Sequence, residues 1–494
     1  MDLSVELNKL KQVKIDLKNA INNKVGGITD QSITEYAKII EQINPENLEN
    51  RVRFLDYDGT ILKTVYVSNG GTATPPEEMP EHPNLVFQGW NNPLDNVQGS
   101  LDIGAIYTTA SGFTELDVRM EAPTGTTVSI SPYLESGTLT IDWGDGSETE
   151  LTGTGKKTTN YTYATYGNYT ITLKISQGGS WYIPDGFVQG TNDSYYLLAA
   201  RITGISKLNS NAFYGKRSLH TVTLSNDIKT FGDYCFYRCM ALKAINIPEN
   251  LTTLGRYTFQ ECYAISRVSI GKGITSIPYY GFYSCYSLDT LIIPHGVTTI
   301  DSYAFAYCRS LKIVTFPPTL TTINGNAFYE CYSLLYADLP DSITTLGSYT
   351  FYYCYSLRRV HVPIKITNIP SYFCYYCYSL QEVNIPDGVT NINERAFEYC
   401  YNLMDIKIPE NVSNISNGAF RYCYGLRNVY IYRPSPASIS SNTFESIPQS
   451  ASIFVPSSQN RLILTMYKTA SYWSNYANWM KEIPEEDNES TETE

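Results

Sequence analysis

The side chains best able to ligate a metal or attack a substrate in this 494-residue chain are its four histidines and eleven cysteines. His82, His220, His295 and His361 stand far apart, none at ligand spacing from another or from a cysteine pair. Cys374-x-x-Cys377 has the spacing of a redox motif. The motif dissolves once the other cysteines are placed. Cys239, Cys262, Cys285, Cys308, Cys331, Cys354, Cys377, Cys400 and Cys423 recur every 23 residues. Cys377 is thus a regular member of a column, and Cys374 stands where a phased aromatic belongs, with Phe373 shifted by one. Phosphate loops, dinucleotide fingerprints and nucleophile elbows are missing from the sequence. The repeat positions show no recurrent carboxylate pair of the kind glycan cleavage needs. The reading is of a non-enzymatic protein: no catalytic residue, no metal ligand, no cofactor.

The cysteines belong to a longer beat. Phe213, Phe236, Phe259, Phe282, Phe305, Phe328, Phe351, Phe397 and Phe420 share the 23-residue period. From Phe236 onward each is followed three residues on by the Cys of its unit, and in most units then by a Leu, a Val or Ile, and a Pro. A fixed period of this length means a solenoid, which stacks its units and buries continuous columns. In the unit Ala304–Pro317, with Leu320–Ile323 behind it, the inward positions are Phe305, Leu311, Val314 and Ile323. The strand is Val314-Thr315-Phe316, and Pro317 bars its continuation. Adjacent column cysteines lie about 5 Å apart on strand spacing, but parallel side chains do not point at each other, and an odd count cannot pair fully. The expectation is a reduced, buried ladder. Over about ten consecutive units the pattern resembles the BspA-like leucine-rich repeat, which implies an α/β solenoid whose long faces bind rather than catalyse.

Most of the 43 tyrosines sit in these units. Tyr263, Tyr286, Tyr332, Tyr355, Tyr378, Tyr401 and Tyr424 directly follow the column cysteine, and Tyr283, Tyr329, Tyr352, Tyr375 and Glu398 follow the aromatic beat. They lie on the turn or short helix opposite the strand. Two readings stand. They form a stacked ladder that seals the core, or they offer an aromatic face to sugar rings or to a protein receptor. The seven that follow the cysteines are the candidate binding residues.

The chain is mostly β and multidomain, with an N-terminal α segment and two small β domains before the solenoid. Residues 1–46 read as two short helices, either a hairpin packed on itself or an oligomerising and attachment segment. Tyr36-Ala37-Lys38-Ile39-Ile40 resembles a motif ending a helical unit in tail proteins of phages that infect gut and Gram-positive bacteria. That resemblance implies contact with other tail or baseplate proteins and a homo-oligomer, for instance a trimer. In residues 50–108, two strand-like runs flank Asp58-Gly59, a type I′ hairpin signal, and Phe87-Gln88-Gly89-Trp90 follows a Pro-rich loop. The order resembles the internalin-type B-repeat, a β-grasp-like spacer. Residues 109–177 carry Asp142-Trp143-Gly144-Asp145-Gly146 and a Tyr-rich strand, resembling a PKD-type β-sandwich with Trp143 in its core. Asp142 and Asp145 read as turn chemistry, with calcium as the alternative. The solenoid spans 180–446. Residues 447–483 read as its cap, and 484–494 as an acidic disordered tail.

Glu482 to Glu494 hold seven of the acids behind the net charge of −12, and without them the body stands at −5. That argues against nucleic acid as a partner. No run of 18 apolar residues exists to enter a membrane, and the N-terminus lacks the apolar core of a secretory signal. The expected function is adhesion or host attachment. A phage tail component, leaving its host by lysis, needs no export signal, so the expected location is the virion, with host cell-surface glycan or protein as the target. The alternative is a bacterial cell-surface adhesin, and a glycan-degrading tail spike comes third.

Overall fold

A computed structural model describes residues 50–121, 126–189 and 195–484. The expectations for residues 1–46 and for the acidic tail beyond 484 lie outside the described residues.

Each solenoid rung has three sides. The strand side is built from short parallel strands such as Thr290–Ile292 and Ile313–Thr315, which pair Leu291 with Val314. Two-residue strands such as Thr299–Ile300 and Thr322–Ile323 form a second parallel side. Turns form the third. Phe305, Leu311, Val314 and Ile323 are all buried, joined by Ala304, Cys308 and Leu320. The phase slip is absorbed by exchange. Phe373 occupies the small-residue position and packs edge-on between Phe351 and Phe397, while Cys374 fills the large one.

The turn side corrects the α/β expectation: among the described residues no helix forms there, and the rungs are built of strands and turns. Two residues per rung, such as Tyr303 (φ 59°) and Tyr307 (φ 62°), are left-handed and interrupt any helical run. Their N–H groups, with that of Phe305 between them, donate to the carbonyls of Gly325, Tyr329 and Ala327 on the next rung, at 3.3, 2.7 and 2.9 Å. A helix would spend those donors on itself.

Both ends are closed. Tyr195–Ile202 pairs in parallel with the first strand-side rung, Thr221–Leu224, and antiparallel with Thr114–Met120. The sheet then continues through Gly167–Ile175, Thr138–Asp142 and Glu148–Thr152. One buried cluster accordingly runs without a break from Leu116 to Met480. Trp143 is buried in it, stacked on Tyr161 at 4.7 Å, and the Tyr163 hydroxyl donates to its carbonyl. At the far end the helix Leu462–Thr469, a 3-10 segment Trp473–Trp479 and the strand Met480–Glu482 cover the last rung. Trp473 Nε1 donates to the Ala437 carbonyl at 2.7 Å.

Four strands before this sheet, Asn50–Leu55, Ile61–Val67, Leu85–Trp90 and Leu101–Thr109, make a separate sheet in which the second, first, fourth and third lie side by side. Val52, Phe54, Val67, Ala73, Val97 and Ile103 form its core. The hairpin between the first two strands is not type I′, because only Gly59 has positive φ (86°) and the register shifts beside it, as in a bulged turn. A spacer would hold its neighbours apart, but this domain folds back and seats its Leu101–Thr109 strand on the strand side of the first rungs.

Candidate recognition surfaces

The turn side carries the candidate tyrosines as a stacked column. Tyr263 and Tyr286 lie 4.7 Å apart and 2° from parallel. Arg309 takes the next rung, its guanidinium 5.2 Å from the Tyr286 ring and 5.1 Å from that of Tyr332. From there Tyr332, Tyr355, Tyr378, Tyr401 and Tyr424 follow at 4.9, 5.1, 4.6 and 5.2 Å. Interior rings have both faces against neighbours, leaving their edges and hydroxyls outward. Tyr424, the last ring of the column, is 52% exposed.

Further columns run alongside. Tyr234, Tyr257, Tyr280 and Tyr303 stack at 4.4, 5.2 and 4.8 Å. Tyr329, Tyr352 and Tyr375 stack at 4.9 and 4.8 Å, and Tyr353, Tyr376, Tyr399 and Tyr422 at 4.8, 4.1 and 4.7 Å. The first and third of these columns stand at positive φ. Left-handed backbone costs a non-glycine residue roughly 1–2 kcal/mol, which Gly would escape. Two stacked neighbours, at about 0.5–1.5 kcal/mol each, offset that cost. Glu398 interrupts the middle column. It is buried 3.5 Å from Arg395 and 3.7 Å from Arg421, and burial outweighs both arginines and raises its pKa.

The strand side is divided. Its first rungs are covered by the domain of residues 50–109 through a buried polar network. The Asn91 amide donates to the Ile247 carbonyl (2.9 Å) and the Ser269 hydroxyl (2.9 Å), while its oxygen accepts the Gly104 N–H (2.7 Å). Asn92 donates to the Ile270 carbonyl, and Asn246 reaches back to the carbonyls of Asp56 and Ala105, each at 3.0 Å. A Cβ on Gly104 would lie 2.4 Å from the Asn246 side chain, so this approach needs glycine. Arg53 grips Asp102 with two hydrogen bonds of 2.6 Å and reaches Thr290 at 3.4 Å. Beyond this point the outward positions change character. Ala244, Asn246 and Ser269 under the domain give way to Tyr336, Asp338, Arg359, His361, Glu382, Lys407, Tyr430 and Phe454 on the later rungs. Arg359 holds Asp338 with two 2.9 Å bonds and lies over Tyr336, and Tyr430 stacks on Phe454 at 4.9 Å. The sequence reading passed over this surface. Alternation along each strand marks these residues as outward, but nothing in the sequence says which rungs lie beneath another domain.

The family described as the BspA type leucine-rich repeat region matches residues 202–308, 275–404 and 367–471, together more than half of the chain. The chain belongs to the BspA-type leucine-rich-repeat family. Among solved structures, BspA-type repeats of this chain are similar to a leucine-rich repeat protein from Bacteroides ovatus, 22% identical, covering 63% of this chain and 97% of that one at a TM-score of 0.41. A leucine-rich cell surface protein from Faecalibacterium prausnitzii is 23% identical over 60% of this chain and 94% of that chain, at 0.33. The pneumococcal vaccine antigen PcpA is 17% identical over 59% and 81%, at 0.37. A comparison with curated proteins returned no match.

The reactive side chains of these BspA-type repeats are tied into structure. All eleven cysteines are free and buried. Each column thiol donates to the carbonyl of the residue 26 positions earlier, as Cys331 does to Phe305 at 3.3 Å and Cys377 to Phe351 at 3.2 Å. Burial pushes the Cys423 thiol up to about 12 and Cys374 up to about 11, so the nucleophilic thiolate is scarce at neutral pH. Asp142 accepts from the Gly144 N–H and Lys174, and Asp145 from the Ser147 N–H and the Tyr161 hydroxyl. These partners are those of turn chemistry, and the Lys174 ammonium occupies charge that calcium would need. His82 has an acidic partner that spacing did not reveal: its Nε2 lies 2.8 Å from Asp56 Oδ2, while Oδ1 accepts the Tyr107 hydroxyl. His361 pairs with Asp341 and His295 is exposed. Among the described residues no group of three or more His, Cys, Asp or Glu could hold a metal, and no helix is long and apolar enough to cross a membrane.

Proposed function

We propose that this chain is a non-enzymatic recognition protein whose solenoid binds a glycan or protein on a bacterial cell surface, and that its setting is the tail of a phage. The observation that supports recognition is the pair of long, ordered faces, rich in aromatic and ion-paired side chains. Tyr and Arg are the residues that carry interface energy. The tail setting rests on the resemblance of residues 1–46, which would attach the chain to baseplate proteins and to its own copies. A bacterial cell-surface adhesin is the second reading, favoured by a family match that lies in the solenoid and does not extend to those residues. The test is binding of the fluorescently labelled full chain to a panel of gut and Gram-positive bacteria. Saturable binding to a subset of strains supports recognition, and uniform absence of binding removes it. Gold-labelled antibody against the chain then separates the settings, by marking tail tips of virions or the envelope of the producing cell.

A further inference from the structure

The column geometry bears on what kind of molecule the turn side can hold. A sugar ring stacks on an aromatic face, and the interior faces of Tyr332, Tyr355, Tyr378 and Tyr401 are taken by one another. What faces outward is a line of phenol edges, repeating at 4.6 to 5.2 Å along the solenoid axis. The Tyr332 hydroxyl donates to Glu330, so its oxygen keeps a further lone pair for an incoming donor. Burial holds the Tyr378 phenol up to about 12, and the group stays a neutral hydroxyl at any physiological pH. Charges beside the line cancel in pairs: Arg309 with Glu330, Arg395 and Arg421 with Glu398, Arg421 with Glu445. The rings are already ordered by stacking, so binding would not have to freeze them.

A line of identical polar groups at constant spacing matches a partner with its own translational repeat. An irregular protein surface gains nothing from such regularity, and a polyanion would find no net positive charge. We propose that the turn side binds a linear, uncharged polysaccharide laid along the solenoid axis, held edge-on by the phenol hydroxyls of Tyr355, Tyr378, Tyr401 and Tyr424 rather than by ring-face stacking. The proposal rests on the recognition reading above and specifies its partner. Successive repeat units engage successive rungs, so affinity grows with chain length until the column is spanned.

The experiment uses the full chain and a strain to which it binds. Replacing Tyr355, Tyr378, Tyr401 and Tyr424 together by Phe keeps every ring and removes every hydroxyl. The expected result is a melting temperature within a few degrees of the parent and cell binding weaker by at least about tenfold, since each hydrogen bond lost counts for a factor of roughly three to ten. Glu150→Gln, exposed on the strand Glu148–Thr152 outside both solenoid faces, is expected to leave binding unchanged. Periodate oxidation of the cells should abolish binding, protease treatment should not, and 0.5 M salt, an ionic strength of about that order, should leave it intact. Neutral surface polysaccharide extracted from the same strain and cut to graded lengths should compete better as it lengthens. Undiminished binding by the Phe variant, or loss of binding on protease treatment, overturns the proposal while recognition stands. Failure of the parent chain to bind any strain removes the recognition reading and this proposal with it.

Discussion

The turn side and the strand side come from the same 23-residue unit, yet they distribute their side chains in opposite ways. On the turn side one residue type recurs rung after rung, so tyrosines meet tyrosines and use up each other's faces. On the strand side the outward residues differ from rung to rung, and the early ones are shaped to a neighbouring domain. Repetition makes a solenoid stiff and leaves a regular edge. Variation makes a surface that can be fitted to one partner, here the chain's own β domain. A repeat protein can therefore carry a periodic face and an individual face on one core.

The largest effect should come from the individual face. Asn91→Leu strands the Gly104 N–H and the acceptors on Ile247 and Ser269, and we expect a loss of roughly 2–4 kcal/mol in chemical denaturation, with a separate early transition for residues 50–109. A single unshifted transition would show that the docked domain owes little to this network. Next comes the core beneath both faces. Cys331→Ala removes a thiol donor from the Phe305 carbonyl and leaves a small void, costing about 1–2 kcal/mol, whereas Cys331→Ser keeps the donor. If thiol reagents modify the native protein as fast as the unfolded chain, the buried ladder is not as described. On the periodic face, Tyr378→Ala opens a gap between two stacked neighbours and should lower stability by about 1 kcal/mol, while Tyr378→Phe stays within about 0.5 kcal/mol of the parent. Equal losses for both would mean that the hydroxyl, not the ring, holds the column.

The smallest effect is expected at Glu398, where the periodic face is interrupted. Its pKa is raised by burial, so the folded state holds its proton more tightly than the unfolded chain. Its contribution to stability is complete below the usual carboxylate pKa and is lost as pH rises through the raised folded value. Glu398→Gln should thus be no less stable than the parent at pH 7 and should flatten the fall in melting temperature between acidic and neutral pH. A variant clearly less stable at pH 7 would show that Arg395 and Arg421 outweigh the burial.

Much was legible from the repeat. The inward columns of Phe305, Leu311, Val314 and Ile323 follow from period alone, because a side chain that recurs at one phase of a stacked coil must meet its copies. The exchange at Phe373 and Cys374 was legible for the same reason. The helix expected on the turn side was not: tyrosine is an unusual left-handed residue, and only the hydrogen bonds to the next rung explain it. The type I′ turn at Asp58-Gly59 failed because the dipeptide also serves a bulged turn.

The sequence by itself determined the solenoid, its buried thiol ladder and its tyrosine columns, since all three depend on periodic burial of apolar and aromatic groups. Only the tertiary structure decided that the ring faces are consumed by stacking and that the early strand-side rungs lie beneath residues 50–109. The first depends on ring orientation, which spacing does not fix, and the second on contacts between residues far apart in the chain, such as Asn91 with Ser269 and Arg53 with Thr290, whose pairing leaves no mark in local spacing.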